Sequence, residues 1–179
     1  MNKNKRYAVI IILVSNAISI SLLESLIPVP VPVPGIKLGL ANVITLIGLV
    51  FLPLKDVLLM VTIRCFVVAL LTRGVMMILF SLSGGLLSAL IMALLYKKFS
   101  GIFSIKGISI VGAIFHNTAQ ITVASLLLGE MVVFYYLPLL FVSAIITGFI
   151  TGRIGELAIE EIKKRKIWLD NDSAAEKER

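Results

Sequence analysis

VMMILFSLSGGLLSALIMALLY, residues 75–96, carries no charged side chain over 22 positions. At about 1.5 Å per residue a helix of that length reaches roughly 33 Å, enough to cross a hydrocarbon core of about 30 Å. A stretch this long and this apolar reads as a membrane span. The rest of the chain agrees: 59% of its 179 residues are hydrophobic and 15% charged, with mean hydropathy +1.05, whereas soluble domains average about 25% charged residues. A soluble domain is excluded as the leading reading, and a small polytopic all-α membrane protein takes its place.

Working outward, five more apolar stretches give about six transmembrane helices: Tyr7–Leu26, Leu38–Leu52, Val57–Leu71, Ile108–Leu128 and Val132–Ala158 join the span at 75–96. The first follows MNKNKR and is read as a retained helix, because no small-x-small cleavage pattern follows it. The second and third reach only about 22 Å each, so they are either two short helices with extended ends or one re-entrant hairpin. Between the first and second lies IPVPVPVPG at 27–35; four prolines alternating with apolar residues force an extended, polyproline-like loop. Residues 1–158 thus form one transmembrane domain with an external proline-rich loop, and 159–179 a charged cytoplasmic tail that frays into disorder.

The formal charge of +7 is membrane patterning rather than a nucleic-acid surface. With both termini cytoplasmic, every Lys and Arg outside the spans falls on the inner side except Lys37 and Arg73. Orientation follows from that asymmetry.

Arg64 lies midway along the third stretch, where a centred charge costs about 2.5–3.5 kcal/mol. It must face protein or water. It is either an anchor for an anionic substrate or an internal brace, with Glu24 as the acid available to pair with it. In the fifth span HNTAQ places His116 and Gln120 on one helical face with Asn117 beside them; three such groups point to a site, although polar residues in membrane helices also bond neighbouring helices. Lys37, Gly39 and Asn42 follow the proline loop, where glycine allows close backbone approach and a lysine beside a helix N-terminus favours an anion. Arg73 borders the same side. The candidate substrate-binding set is therefore Lys37, Asn42, Arg64, Arg73, His116, Asn117 and Gln120.

Small residues form a separate pattern. Ser15 and Ser19, with Ala17 and Ser21, recur at four-residue spacing in the first helix and offer a seam for docking another membrane subunit. Ser81, Gly84, Gly85 and Ser88 do so in the fourth, and Gly148 and Gly152 form a GxxxG in the sixth; these read as packing seams. One histidine with no carboxylate in its span gives no metal site, no cofactor-binding pattern is present, and Cys65 is the single cysteine. A Walker A loop is missing, as is a pair of Asp-rich DDxxD motifs for metal and diphosphate, so the chain is not read as an enzyme. Three function classes remain: a membrane-embedded binding subunit, a noncatalytic accessory of isoprenoid synthesis, and a structural scaffold.

PGIKLGLAN at 34–42, Arg64, SLSGGLLSALIMALL at 81–95 and GAIFHNTAQ at 112–120 together resemble one bacterial membrane family, heptaprenyl diphosphate synthase component I, also called the Gx transporter family. The resemblance runs from about Leu23 to Gly155. That family is related to the substrate-binding S components of energy-coupling-factor (ECF) transporters. The resemblance implies a six-helix S-component-like bundle in the bacterial cytoplasmic membrane, a pocket in its outer half for a small anionic or amphipathic molecule, and a partner module of one ECF coupling subunit and two ATPases. Its enzymatic label conflicts with the missing Asp-rich motifs and implies a noncatalytic membrane partner in heptaprenyl diphosphate synthesis.

Overall fold

The computed structural model of the protein describes residues 3–27, 37–72, 74–99 and 101–165, the side chains of Val75 and Met77 excepted. The proline loop at 28–34, Arg73 and the chain from 166 onward, expected above as an external loop, a site residue and a tail, lie outside the described residues.

Among the described residues the chain is helical: α1 Lys3–Glu24, α2 Asn42–Phe51, α3 Leu54–Leu71, α4 Val75–Lys98, α5 Ile105–Leu128, a 3-10 segment Met131–Tyr136, and α6 Leu137–Lys164. Four stretches are long and apolar enough to cross a membrane: Lys3–Glu24, Ile78–Lys98, Ile105–Leu128 and Met131–Lys164. The faces they turn outward are mostly apolar, with Ser15, Asn16 and Ser19 of α1 and Thr122 of α5 among the exposed polar exceptions. On α6, Val142, Ile145, Ile146, Phe149, Ile150 and Ile154 are exposed at helical spacing, as a lipid-facing stripe requires.

The two short stretches resolve unequally. Helix α2 begins at Asn42 rather than Leu38, because Gly39 sits at φ 85°, in the left-handed region that a right-handed helix cannot continue through. Ten residues reach only about 15 Å, so among the described residues the second apolar stretch is a non-helical segment followed by a helix about half the length of a span. Helix α3 instead starts early, at Leu54, since Pro53 with φ −64° and ψ 150° provides an extended cap directly before it. Lys55 and Asp56, expected in a connector, form its first turn.

Two further boundaries move for local reasons. The Ser104 hydroxyl accepts from the Gly107 N–H at 3.2 Å, capping α5 three residues before the expected Ile108. The sixth helix begins at Leu137, not Val132, because Pro138 fits only a first turn. It continues through Glu160, Glu161 and Lys163 to Lys164.

Among the described residues the basic clusters of α1, α4, α5 and α6 gather at one end of the bundle, where their neighbours Val9, Tyr96, Ile105 and Ile162 pack in one apolar cluster. There Arg6 on α1 grips Asp56 on α3 with two bonds, Nε to Oδ2 at 2.6 Å and Nη2 to Oδ1 at 2.5 Å, a bidentate clamp between helices fifty residues apart. Near the same end Lys106 on α5 reaches Glu156 on α6 at 3.4 Å. Along α5, Ile108 belongs to an apolar cluster reaching from Val9 to Ile159, while Ile121 and Ala124 belong to a second one with Phe80, Val133 and Leu140. The polar residues 116–120 lie between the two.

Candidate functional site

A broken helix in a membrane protein leaves backbone groups that need partners, and here side chains from flanking helices supply them. The Gly39 N–H donates to Glu24 Oε1 of α1 at 2.5 Å, and the Lys37 N–H donates to Gln120 Oε1 of α5 at 3.1 Å. Inside the turn itself Asn42 N–H bonds the Gly39 carbonyl at 2.9 Å. Residues 37–41 are thereby pinned between α1 and α5 with the start of α2 pointing at them.

This segment walls a small cavity of about 20 Å³, lined by Ser21, Glu24, Lys37, Gly39, Ala41, Arg64, Cys65, Val68, Ser81 and His116. It has room for about one water molecule, far below the roughly 300–1,000 Å³ of sites that enclose drug-sized ligands, so a larger polar group needs the lining side chains to move apart.

Its charges do not balance. Among the described residues of its wall, Lys37 and Arg64 face one acid, Glu24, and all three are buried, at 7%, 5% and 3% exposure. Glu24 is not the ion-pair partner expected for Arg64: its carboxylate takes the Gly39 N–H, and among the described residues no hydrogen bond or ion pair reaches the guanidinium, whose Nη1 is buried and unsatisfied. Lys37 Nζ makes a long bond of 3.4 Å to the Ser21 carbonyl. One surplus positive charge in a low-dielectric pocket is a strong attractor for an anion.

The other expected site residues divide. His116 lines the cavity; its Nε2 lies 3.0 Å from Gln120 Nε2 and its Nδ1 is unsatisfied. Gln120 is occupied at both ends of its amide, by Lys37 N–H and by His116, so it braces the broken segment instead of reaching a ligand. Asn117 turns toward α6, donating to the Leu140 carbonyl at 3.0 Å while its Oδ1 stays unpaired. Asn42 lies just behind the wall: both polar atoms of its amide are unsatisfied, and a Cβ on Gly39 would lie 2.9 Å from its Nδ2 and 3.2 Å from His116 Cδ2. Lys37, Arg64 and His116 thus converge on the cavity, Asn42 abuts it, and Asn117 and Gln120 hold the frame.

The docking seam on α1 does not survive as one surface. Ala17 and Ser21 are buried at 4% and 5%, Ala17 in the apolar core and Ser21 on the cavity wall, whereas Ser15 and Ser19 are exposed. Two residues apart on a helix means about 200° of rotation, so the two pairs occupy opposite faces. Residues that sequence reasoning did not place in the site include Ser21, Cys65 and Ser81. A small or weakly polar residue on a membrane helix carries no signal that separates a cavity wall from a packing seam.

A family model described as heptaprenyl diphosphate synthase component I matches residues 13–157, from the middle of α1 to the later turns of α6. No curated protein and no solved structure matches the chain.

Proposed function

The chain belongs to the heptaprenyl diphosphate synthase component I family, and on that premise we propose that it is a noncatalytic membrane component of isoprenoid synthesis that holds the anionic head of a prenyl diphosphate. The observation that carries this reading is the buried Arg64 beside Lys37, unpartnered among the described residues, with Glu24 the one acid among the described residues of the cavity wall. Diphosphate chemistry on magnesium needs carboxylate clusters, and the sequence has no Asp-rich pair. A separate synthase would supply them, with this chain presenting a lipid-soluble substrate or receiving a product whose tail lies along the apolar helix faces.

The test compares farnesyl diphosphate with farnesol, which has the same tail and no charge, as ligands of the detergent-purified chain. Selective thermal stabilisation by the diphosphate supports the reading. Equal effects of the two would overturn it.

A second reading is favoured by one observation, the place of the cavity at the end of the bundle away from the basic clusters. With both termini cytoplasmic and six crossings, the second made of residues 37–41 plus α2, that end faces outward. An outward-facing site supports the reading of a substrate-binding subunit of an ECF-type transporter, which would work with a coupling subunit and two ATPases on a small anionic or amphipathic molecule. Native mass spectrometry of gently solubilised membranes distinguishes the two by what travels with the chain: a soluble Asp-rich synthase, or ATPases.

Topology is testable by itself. A reporter fused after Arg179 is expected in the cytoplasm and one inserted between Pro28 and Pro34 outside; cytoplasmic access to the proline loop would reverse the assignment. For a membrane partner such as a coupling subunit, Ser15 and Ser19 are the members of the α1 seam left exposed. Ser15→Leu with Ser19→Leu is expected to weaken assembly and leave ligand affinity unchanged, since bulky groups block close helix approach. Intact assembly in the double variant would remove α1 as the docking face.

A further inference from the structure

We infer that Gly84 and Gly85, adjacent on α4, are positioning residues that set where His116 and Arg64 present their polar atoms to the cavity, and so fix its preference for an anionic head over an uncharged one. The preference clause rests on the anion-binding reading above; the positioning itself does not.

Adjacent glycines are costly in a helix relative to alanine, so α4 gains nothing from the pair by propensity. Space explains them. A Cβ on Gly84 would lie 3.0 Å from His116 Cε1, from its Nδ1 and from its carbonyl oxygen. The carbonyl belongs to the α5 backbone, so no change of side-chain rotamer relieves that overlap. A Cβ on Gly85 would lie 2.8 Å from Val61 Cγ1 and 3.0 Å from Arg64 Nη2, both on α3. Neighbouring positions on a helix point about 100° apart, so the pair serves two different helices. One glycine seats the imidazole and the other seats the guanidinium.

Seating matters most for Arg64 because no hydrogen bond among the described residues fixes it, and its Nη1 is left unsatisfied. Packing against α4 is what sets its depth. Ser81, one turn earlier on α4, also lines the cavity, so the glycines lie on the face that looks into the site.

The experiment has a ligand-free arm and a binding arm, both on the full chain in detergent. In a Val61→Ala background, which removes the methyl contact, thermal midpoints are measured for Gly85→Ala, Arg64→Met and the double variant. If Gly85 positions Arg64, the midpoint loss caused by Gly85→Ala falls by at least about half when Arg64 is already Met, a coupling expected only for residues in contact. Additive shifts would overturn the link, and Gly84→Ala with His116→Ala is read the same way. In the binding arm, Gly85→Ala is expected to lower the ratio of farnesyl diphosphate to farnesol affinity about tenfold, the effect of weakening one charged hydrogen bond, with farnesol binding unchanged. Equal losses for both ligands would mean a merely structural role. A wild-type chain with no preference for the diphosphate overturns the anion reading and the preference clause with it, while the ligand-free arm still decides whether the glycines place Arg64 and His116.

Discussion

Arg64→Met is expected to weaken binding of farnesyl diphosphate by about 1.5–3 kcal/mol, the range for a hydrogen bond to a charged group, or roughly 10- to 150-fold in affinity. The same substitution is expected to leave the ligand-free protein as stable as before or more so. A brace would behave differently, because removing one partner of a buried pair strands the other. Here the guanidinium has no partner to strand among the described residues, and a methionine of similar length fills much of its volume without an unpaired buried charge. Loss of affinity with stability retained is the signature of a group kept for function at a cost in stability. The measurement is thermal unfolding with and without ligand, together with a binding isotherm. An Arg64→Met chain that binds the diphosphate normally would remove the anchor role, and one that unfolds readily yet binds with unchanged affinity would establish the brace.

What could be read in the sequence follows the kind of information each residue carries. Spans such as 75–96 were legible because burial in lipid is a property of composition summed over twenty positions. Arg64 stood out because a lone charge inside such a span has few permitted environments. The start of α2 was not legible: whether a glycine turns left-handed depends on what its neighbours require, and Gly39 does so where Glu24 and Gln120 wait to take up the freed N–H groups. For the same reason Glu24 and Gln120 were recognisable as polar groups needing partners while the partners were not, since a backbone donor exposed by a broken helix has no side-chain signature. The α1 seam is a different case. Its division between Ser15 and Ser19 on one face and Ala17 and Ser21 on the other is contained in the 100° step of the helix; spacing within each pair was read, and the angle between the pairs was not.

The GxxxG of the sixth helix was legible as a packing seam, and its partner gives the second large effect. Gly148→Ala is expected to destabilise the chain by about 1–3 kcal/mol, the usual cost of overpacking, and Gly148→Leu by more. An added Cβ at Gly148 would lie 2.6 Å from Ile110 Cα and 3.1 Å from Ile110 N. These are backbone atoms of α5, so no rotamer change relieves the overlap and the two helices must part. Parting them also stretches the 2.9 Å bond between Ser109 and Thr151, which joins the same helices one turn away. Gly152→Ala meets Lys106 Cα at 2.8 Å and is expected to cost nearly as much, whereas Gly155→Ala meets the end of the Leu46 side chain at 3.0 Å, which can swing aside. At Gly101 a Cβ meets nothing within 4 Å, so Gly101→Ala serves as the control with no expected loss. Thermal midpoints in one detergent rank the four. An order in which Gly148→Ala is no worse than Gly101→Ala would mean that α5 and α6 are not held in this close contact, and the depth at which α5 presents His116 to the cavity would need to be redrawn.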